Sequence, residues 1–197
     1  MSTMIRVAVL DDHPAVRAGL EAILAQEPDL IAVGSAANEE QVWPLLRRTR
    51  PDVVVLDFHH PGRDGLALIQ DIKRMLHAPA VVLYAATTPD ALVVAGVVAG
   101  ADAVVGKSSS ARALLEAIRA VARAPRELPR ISRQMRVGAA ATLDPADHAI
   151  LAMRLAGESA VEIGAVLGRR ASEIADRIAT IVAALASARP SPAAGVA

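Results

Sequence analysis

The sequence has no cysteine, few aromatic residues and no net charge, and each of these absences excludes a class of function. Without cysteine the chain forms no disulfides, has no thiol nucleophile and builds no cysteine-ligated zinc site. Aromatic residues make up 2% of the chain, too few for the stacking platforms that bind single-stranded nucleic acid. The 21 basic and 21 acidic residues balance, so no overall field attracts the chain to nucleic acid or anionic lipid.

The sequence also lacks long apolar segments. Residues 1–12 reach two carboxylates before an apolar run of signal-peptide length develops. The most apolar window, residues 91–101, is too short to span a bilayer. We therefore expect a cytoplasmic protein with no membrane partner.

Short β-branched runs alternate with amphipathic segments over the first 124 residues. Strands are predicted at 5–10, 30–36, 53–57, 80–84 and 101–106, and helices at 14–26, 39–50, 65–76, 90–100 and 111–123. The helix at 39–50 is expected to be interrupted or redirected at Pro44. Because the strands are apolar throughout, helices should cover both faces of a parallel sheet. The pattern predicts a doubly wound α/β domain over residues 4–124.

The remaining residues predict a linker and a small helical domain. Residues 125–142 hold four arginines against one glutamate, which is typical of a partly helical, mostly solvated linker. Three helices are then predicted, at 143–157, 159–168 and 171–185. They define an all-α trihelical domain over residues 143–187, and we expect the tail at 188–197 to be disordered.

Four charged side chains follow strands of the predicted sheet. They stand after the first, third and fifth strands and are Asp11, Asp12, Asp57 and Lys107. Because the carboxyl ends of parallel strands share one edge, three carboxylates and one ammonium are expected together. Clustered carboxylates repel one another unless a cation compensates them, and Mg²⁺ suits such oxygen ligands. The set matches phosphoryl transfer onto a carboxylate oxygen, although each aspartate alone could be a turn residue or helix cap.

The motifs VAVLDDH, VVVLDFHHPGRDG and GADAVVGK together resemble the receiver domain of two-component response regulators. The resemblance covers the predicted α/β domain and implies a five-stranded, flavodoxin-like fold. It implies phosphorylation of Asp57 and contact of the phosphoryl group by Lys107. It also implies a Mg²⁺ site with ligands from Asp11, Asp12, Asp57 and the backbone carbonyl of His59. The turn that opens the next helix is matched by Pro61, Gly62, Asp64 and Gly65.

Two positions depart from the pattern of that family. The family expects Ser or Thr just after the fourth strand, where an ungapped count places Ala85. It expects an aromatic residue three positions before the lysine, where the chain has Val104. Thr87 or Thr88 could supply a hydroxyl on another loop path, or could be ordinary turn residues. The coupling between hydroxyl and aromatic residue is therefore expected to be absent or changed.

Three histidines near these carboxylates raise the alternative of a transition-metal site, because imidazole is a common ligand. They are His13, His59 and His60. Because His59 and His60 are adjacent, they would point apart in an extended loop. The sequence favours a role of the His59 side chain in tuning the lifetime of an acyl phosphate.

Residues 143–187 resemble the LuxR-type helix-turn-helix output domain, in which the third helix enters the major groove of DNA. The matching residues are Leu143, Pro145, Ile150, Leu151, Gly157, Glu162, Ile163, Leu167, Ile174 and Ile178. The resemblance implies double-stranded DNA as a partner, with Arg169, Arg170 and Arg177 as contact candidates. The segment has four arginines and six acidic residues, net −2, which disfavours binding to phosphates. The arginines could instead be solvated or pair with acidic residues of the same helix.

These observations lead to three hypotheses. The first is a response regulator of a two-component phosphorelay: a sensor histidine kinase phosphorylates Asp57, and a DNA-binding domain, acting as a homodimer, controls transcription. The second is an atypical regulator whose C-terminal domain binds protein or packs on its own receiver, weakly or not dependent on phosphorylation. The third is a Mg²⁺-dependent phosphotransferase or phosphatase with an aspartate nucleophile, but no insertion offers a lid or substrate pocket, so we expect no enzyme.

Overall fold

The structure, a computed structural model of the chain, describes residues 4–59, 64–123 and 131–187. Its strands are β1 (Ile5–Leu10), β2 (Leu30–Ala36), β3 (Val53–Asp57), β4 (Ala80–Ala85) and β5 (Ala103–Gly106). All of them pair in parallel, in the order β2-β1-β3-β4-β5. This order is that of the flavodoxin-like doubly wound fold, and it confirms the predicted fold class.

The described residues also form the helices α1 (Pro14–Leu24), α2 (Glu39–Thr49), α3 (Gly65–Lys73), α4 (Asp90–Ala99), α5 (Ala111–Arg123), α6 (Arg133–Ala141), α7 (His148–Leu155), α8 (Ala160–Leu167) and α9 (Ala171–Ser187). A turn of 3-10 helix, Pro145–Asp147, precedes α7. None of these helices has both the length and the apolar content needed to cross a bilayer. The predicted elements agree with the observed ones to within a few residues at each end.

Helix α2 is continuous through Pro44, so the predicted interruption does not occur there. Proline removes one backbone hydrogen bond, and other contacts offset that loss. The Asn38 side chain caps the helix by accepting from the Gln41 N–H at 3.2 Å. Val42 and Leu46 on the same helix are buried, which holds the helix in place on both sides of the proline.

Both faces of the sheet are buried. On one face, Val7, Val9, Val53, Val55 and Val82 share a core with side chains of α1 and α5. On the other face, Ala8, Leu10, Val54, Leu56, Val81 and Leu83 have no exposed surface. Burial of successive residues on opposite faces explains why the strands are apolar throughout instead of alternating. The first polar side chains therefore come where the strands end.

Helix α6 lies inside the segment that the sequence predicts to be a partly helical linker. Its cap is Ser132, whose hydroxyl accepts from the Met135 N–H at 3.1 Å. Residues 124–130, where the linker begins, and the predicted disordered tail at 188–197 lie outside the described residues. The predicted domain limits therefore stay a prediction.

The chain divides into two compact units that do not follow the order of the sequence. The first unit is Met1–Thr87 with Gly100–Pro129, and the second is Thr88–Ala99 with Arg130–Ala197. The second unit thus takes α4 from between β4 and β5 and packs it against α6, α7 and α9. Seven residues of α4 are buried, and the helix has no polar stripe. A helix that is apolar all round is expected only where it is buried.

Candidate functional site

The pairing of the strands brings the predicted carboxylates together. Strand β3 lies between β1 and β4, and Leu56 is in register with Leu10, so Asp57 and Asp11 follow at neighbouring positions. Asp57 is in register with Tyr84 on the other side. Both aspartates are buried, with Asp11 1% and Asp57 3% exposed. Two buried carboxylates this close need a positive partner.

Lys107, which follows β5, is that partner. Its ammonium Nζ lies 2.8 Å from Asp11 Oδ2 and 3.0 Å from Asp57 Oδ2. The Lys107 backbone N–H donates to the Ala85 carbonyl at 2.7 Å, which fixes the lysine beside the end of β4. Burial by itself lowers the pKa of Lys107, but the bonds to Asp11 and Asp57 outweigh it and raise that pKa above its usual value. One ammonium is therefore shared by two carboxylates.

Asp12 and His13 complete a group of possible metal ligands with Asp11 and Asp57. One ligand atom from each of the four lies within 4.8 Å of the others. His13 Nδ1 is 2.6 Å from Asp12 Oδ1 and 3.3 Å from Asp11 Oδ1. No described residue gives the buried Asp12 Oδ1 a hydrogen bond of acceptable geometry. The group thus has more acceptor oxygens than its own donors satisfy, which fits a divalent cation.

His13 is the residue of this group that the predicted ligand set lacks. Its position directly after Asp11 and Asp12 in the sequence could have indicated that it lies at the site. His59 is exposed, its N–H donates to Asp57 Oδ1 at 3.3 Å, and its ring meets Phe58 edge-on at 4.7 Å. His60, Pro61 and Gly62 lie outside the described residues. A ligand role for the His59 carbonyl stays a prediction.

The turn into α3 is fitted closely to the backbone of Asp57. Asp64 caps the helix, its carboxylate accepting from the Leu66 N–H at 3.1 Å. A Cβ atom on Gly65 would lie 2.6 Å from the Phe58 carbonyl oxygen and 3.0 Å from that of Asp57. Only glycine fits this approach without displacing the backbone that carries the carboxylate.

Tyr84 is a further residue of the site, and the sequence motifs do not indicate it. Its ring centroid lies 5.8 Å from Lys107 Nζ, within the range of a cation–π contact. The side chain is half-buried and packs against the core on the α1 and α5 face of the sheet. Burial raises the pKa of Tyr84, partly offset by Lys107. Only the register of β3 and β4 places Tyr84 opposite Asp57, so the sequence carries no signal for this residue.

The two departures from the family pattern leave the end of β4 without the Ser or Thr hydroxyl that the family expects there. Ala85 is buried, and Val104 is half-buried on β5 in register with Leu83. Thr87 is exposed, and it makes no hydrogen bond with any residue in the described ranges. Ala85 therefore contributes only its backbone, whose carbonyl accepts from the Lys107 N–H.

Two of the three arginines predicted to contact DNA are paired within the second unit. The Arg177 guanidinium bonds the buried Asp147 carboxylate, and this bond raises the pKa of Arg177. Arg170 pairs with Glu173 on the surface of α9, with 2.6 Å between Nη2 and Oε1. Arg169 is exposed and forms no ion pair with the part of the chain that the structure describes.

Arg154 on α7 has an internal role that sequence patterns do not indicate. Its Nε and Nη2 donate to the Val98 carbonyl at 3.1 and 2.9 Å, and Nη1 donates to the Glu158 carbonyl at 2.7 Å. Val98 lies in the last turn of α4, where carbonyls lack partners within the helix. Burial without a carboxylate partner lowers the pKa of Arg154. Arg154 thus caps the C-terminus of α4.

Comparisons with known proteins show the family of the region that carries this site. Residues 7–119 match the response regulator receiver domain family. The transcriptional regulatory protein LiaR of Bacillus subtilis (strain 168) is 34% identical over 120 residues, which are 61% of this chain and 57% of LiaR. The chain thus spans a little over half of that relative. Another relative is a protein-glutamate methylesterase/protein-glutamine glutaminase of Agrobacterium fabrum (strain C58), 33% identical over 87 residues, which are 44% of this chain and 25% of that protein.

Two solved structures extend the comparison to the fold. A LuxR-family two-component response regulator from Aurantimonas sp. SI85-9A1 is 30% identical, with a TM-score of 0.58 over 61% of this chain and 86% of that one. RcsB of Salmonella enterica serovar Typhimurium, bound to promoter rprA with the phosphomimetic BeF₃⁻, covers 95% of both chains with a TM-score of 0.62. At 22% identity, RcsB shows likeness of fold alone. The sheet, the buried aspartates beside Lys107 and the match over 7–119 establish that this chain belongs to the response regulator receiver domain family.

Proposed function

We propose that this protein is a cytoplasmic transcriptional response regulator of a two-component system, phosphorylated on Asp57 by a sensor histidine kinase. The observation that carries the proposal is the shared ammonium, with Lys107 Nζ within 3.0 Å of carboxylate oxygens of both Asp11 and Asp57. A buried carboxylate held at the end of a strand is a positioned nucleophile. The neighbouring ammonium is a positioned site for the charge of an incoming phosphoryl group.

The transfer itself needs little chemistry from the protein beyond this placement. An Asp57 oxygen attacks the phosphorus of a phosphohistidine, a P–O bond forms, and the P–N bond breaks. The electron pair of that bond stays on the imidazole nitrogen of the kinase, which takes up a proton from solvent. Lys107 bonds a phosphoryl oxygen and compensates its charge. In this reaction the receiver is the acceptor and not a catalyst of substrate turnover.

The residues of the acidic group fit Mg²⁺ as a cofactor. We propose Asp11, Asp12 and Asp57 with the backbone carbonyl of His59 as its ligands, and His13 lies close enough to influence the site. When bound, the ion neutralises charge on the aspartate nucleophile and on the phosphoryl oxygens. The carboxylates of the site supply three negative charges against the one ammonium of Lys107, so a cation improves the balance.

For the output we propose that the helices of residues 143–187 bind double-stranded DNA as a homodimer. The name of LiaR as a transcriptional regulatory protein and the promoter-bound state of RcsB support this. Local structure supports a helix-turn-helix: α8 begins with a capping box of Ser159 and Glu162 and ends at Gly168 in the left-handed conformation. Arg169 then stands exposed before α9 as the remaining basic contact candidate.

A specific observation also supports the second hypothesis, of a C-terminal domain that acts by packing instead of by DNA binding. Helix α9, which would enter the groove, packs against α4, and Arg177 is bound to the buried Asp147, while Arg170 pairs with Glu173 on the surface. The comparisons do not favour this alternative, because the relatives of this chain include LiaR, a transcriptional regulatory protein, and DevR/DosR of Mycobacterium tuberculosis, a DNA-binding transcriptional activator. We propose that phosphorylation shifts the equilibrium towards a form in which α9 is free to meet DNA.

The receiver half of the proposal is tested by incubating the protein with Mg²⁺ and acetyl phosphate. Intact-mass spectrometry should show the gain of one phosphoryl group, and the Asp57→Asn variant should gain none. Asp52→Asn is a matched control, because Asp52 precedes the same strand and is exposed. Equal modification of wild type and Asp57→Asn would contradict the assignment of the phosphoacceptor.

The output half is tested separately with a labelled pool of random DNA duplexes. Fluorescence anisotropy at low and high ionic strength, with and without acetyl phosphate, should show binding that weakens steeply with salt. Binding should also weaken in Arg169→Ala. If no salt-sensitive binding occurs in either state, the DNA-binding output is excluded and the packing alternative stands, whatever the phosphorylation result.

A further inference from the structure

Two of the three aromatic residues of this chain lie at the candidate phosphorylation site. The chain has one Phe, one Tyr and one Trp, and Phe58 and Tyr84 flank Asp57 along the chain and across the sheet. The Phe58 N–H donates to the Tyr84 carbonyl at 3.3 Å, which ties the two positions together. Placement of scarce aromatic residues around one carboxylate points to a role at that carboxylate.

The Tyr84 ring is directed to the lysine of the site. Its centroid lies 5.8 Å from Lys107 Nζ, while the same ammonium bonds Asp11 and Asp57. The backbones are locked at the same place, because the Lys107 N–H donates to the carbonyl of Ala85, the next residue after Tyr84. The lysine therefore has three partners, and the aromatic face is the one without a charge.

We propose that Tyr84 is a positioning residue of the phosphorylation site, whose ring holds the Lys107 ammonium over Asp57 and follows its movement when Asp57 is modified. The inference rests on the proposed phosphorylation of Asp57. A phosphoryl group gives Lys107 a new anionic partner, so the ammonium redistributes among Asp11, the phosphoryl oxygens and the ring. Tyr84 thereby links the state of Asp57 to β4.

This role accounts for two features of the chain. Ala85 offers no hydroxyl to a phosphoryl oxygen, and Val104 offers no ring to report its arrival. A ring one residue before Ala85, in contact with Lys107, provides an aromatic group coupled to the site through the lysine. The uncharged face attracts the ammonium without competing for it as a third carboxylate would.

The contact is tested by NMR of full-length protein labelled with ¹³C-lysine, which contains only Lys73 and Lys107. In wild type the ε-methylene of Lys107 should show an upfield ring-current shift, which Tyr84→Phe preserves and Tyr84→Leu removes. Lys73, which bonds Asp102 and the Pro79 carbonyl, is an internal control and should not move. Addition of Mg²⁺ and beryllofluoride should move the Lys107 signal in wild type and Tyr84→Phe.

The functional arm measures the rate of Asp57 phosphorylation by acetyl phosphate in the same proteins. Tyr84→Phe should stay within about twofold of wild type. Tyr84→Leu should lose about 3- to 30-fold, or about 0.6 to 2 kcal/mol, the range of a cation–π contact. Val82→Ala, a truncation on the same face of β4, should lower the urea midpoint without such a loss, which separates positioning from plain destabilisation.

The outcomes distinguish this inference from the proposed function. If Tyr84→Leu keeps both the Lys107 shift and the wild-type phosphorylation rate, the inference is wrong and Asp57 remains the phosphoacceptor. If Tyr84→Phe loses as much rate as Tyr84→Leu, the ring alone does not position the lysine and the inference is also wrong. If wild type itself is not phosphorylated, the proposed function fails, while the Lys107 signal still shows whether the contact exists.

Discussion

The sheet edge of the first compact unit and the helices of the second differ in how their charged groups are paired. In the first unit, the carboxylates of Asp11 and Asp57 share one ammonium, and the Asp12 carboxylate lies 2.6 Å from the imidazole of His13. In the second unit, Arg177 pairs with Asp147 and Arg154 is bound to backbone carbonyls. Negative charge at the sheet edge is in excess, whereas Arg177 and Arg154 among the helices are bound by groups of their own unit.

The difference indicates which unit is ready for a ligand. An excess of carboxylate groups destabilises the folded state, and the binding of a cation or another positive partner offsets this destabilisation. Arginines held by buried acceptors are not free for phosphates, because releasing them leaves the buried partner uncompensated. The first unit is therefore poised for binding, whereas the second must give up internal contacts before it can bind DNA with the same residues.

The largest effect is expected from filling the space between α3 and the site. Gly65→Ala places a Cβ 2.6 Å from a backbone oxygen, and displacing that backbone should cost about 3 kcal/mol and slow phosphorylation of Asp57. Urea unfolding followed by Trp43, the single tryptophan, measures the first unit. Gly19→Ala is the control: nothing lies within 4 Å of its added Cβ, so it should stabilise α1 by about 0.5–1 kcal/mol. Equal midpoints for the two variants would contradict the close fit.

Removing the Arg154 cap of α4 should lower the free energy of unfolding of the second unit by about 2 kcal/mol. Arg154→Met keeps the apolar stem but leaves the Val98 and Glu158 carbonyls without their donor. Hydrogen exchange of the α4 amides should then accelerate, because opening of the second unit becomes easier. Unchanged exchange in α4 would show that Arg154 does not hold the helix, and the second unit would then be less dependent on its internal charges than we infer.

The alkaline side of the stability curve tests the ammonium of the first unit. The pKa of Lys107 is raised in the folded state, so its contribution to stability is complete below the unfolded-state pKa of about 10.4. That contribution is lost as pH rises through the folded-state pKa. In urea titrations, Lys107→Met should lower the free energy of unfolding by about 1 kcal/mol at neutral pH and by a smaller amount at high pH. A constant difference across that range would show that the bonds to Asp11 and Asp57 do not depend on the charge.

The smallest effect is expected on the surface of α9. Arg170→Ala breaks an exposed pair with Glu173 three residues along the helix, and such pairs contribute within about 0.5 kcal/mol. Hydrogen exchange in α4 and α9 should stay near wild type. Because Arg170 and Arg154 lie in the same unit, Arg170→Ala is the matched control for Arg154→Met. A large decrease in the free energy of unfolding in this variant would contradict the distinction between surface and internal arginines.

The fold and the acidic site were predictable because local patterns decide them. Apolar strands alternating with amphipathic helices leave few arrangements other than a parallel sheet. Chain order then places Asp11 and Asp57 at one edge whatever the details of packing. The sequence placed Gly65 in the turn into α3. It did not explain why glycine is needed there, because the close approach of the Phe58 carbonyl is a tertiary contact.

The features that the sequence did not indicate all depend on long-range packing. Tyr84 occupies an ordinary strand position until the register sets it beside Asp57 and Lys107. Arg154 has the spacing of a surface residue, and its role as a cap depends on its hydrogen bond to the Val98 carbonyl. The uniform apolar surface of α4 made the helical pattern weak, although that uniformity is itself the mark of a buried helix.

The membership of α4 in the second unit has a consequence for the order of synthesis. The helix ends at Ala99, but α6, α7 and α9 follow it, and the last of them ends at Ser187. Translation at ~5–20 residues per second leaves about 4–18 s between these points. Helices α6 and α7 are synthesised during that interval, but α9 is complete only at its end. Until then the ribosome-bound chain carries an apolar α4 that lacks at least one of its packing partners and that chaperones can recognise. Cotranslational folding of the second unit can finish only when its last helix has emerged.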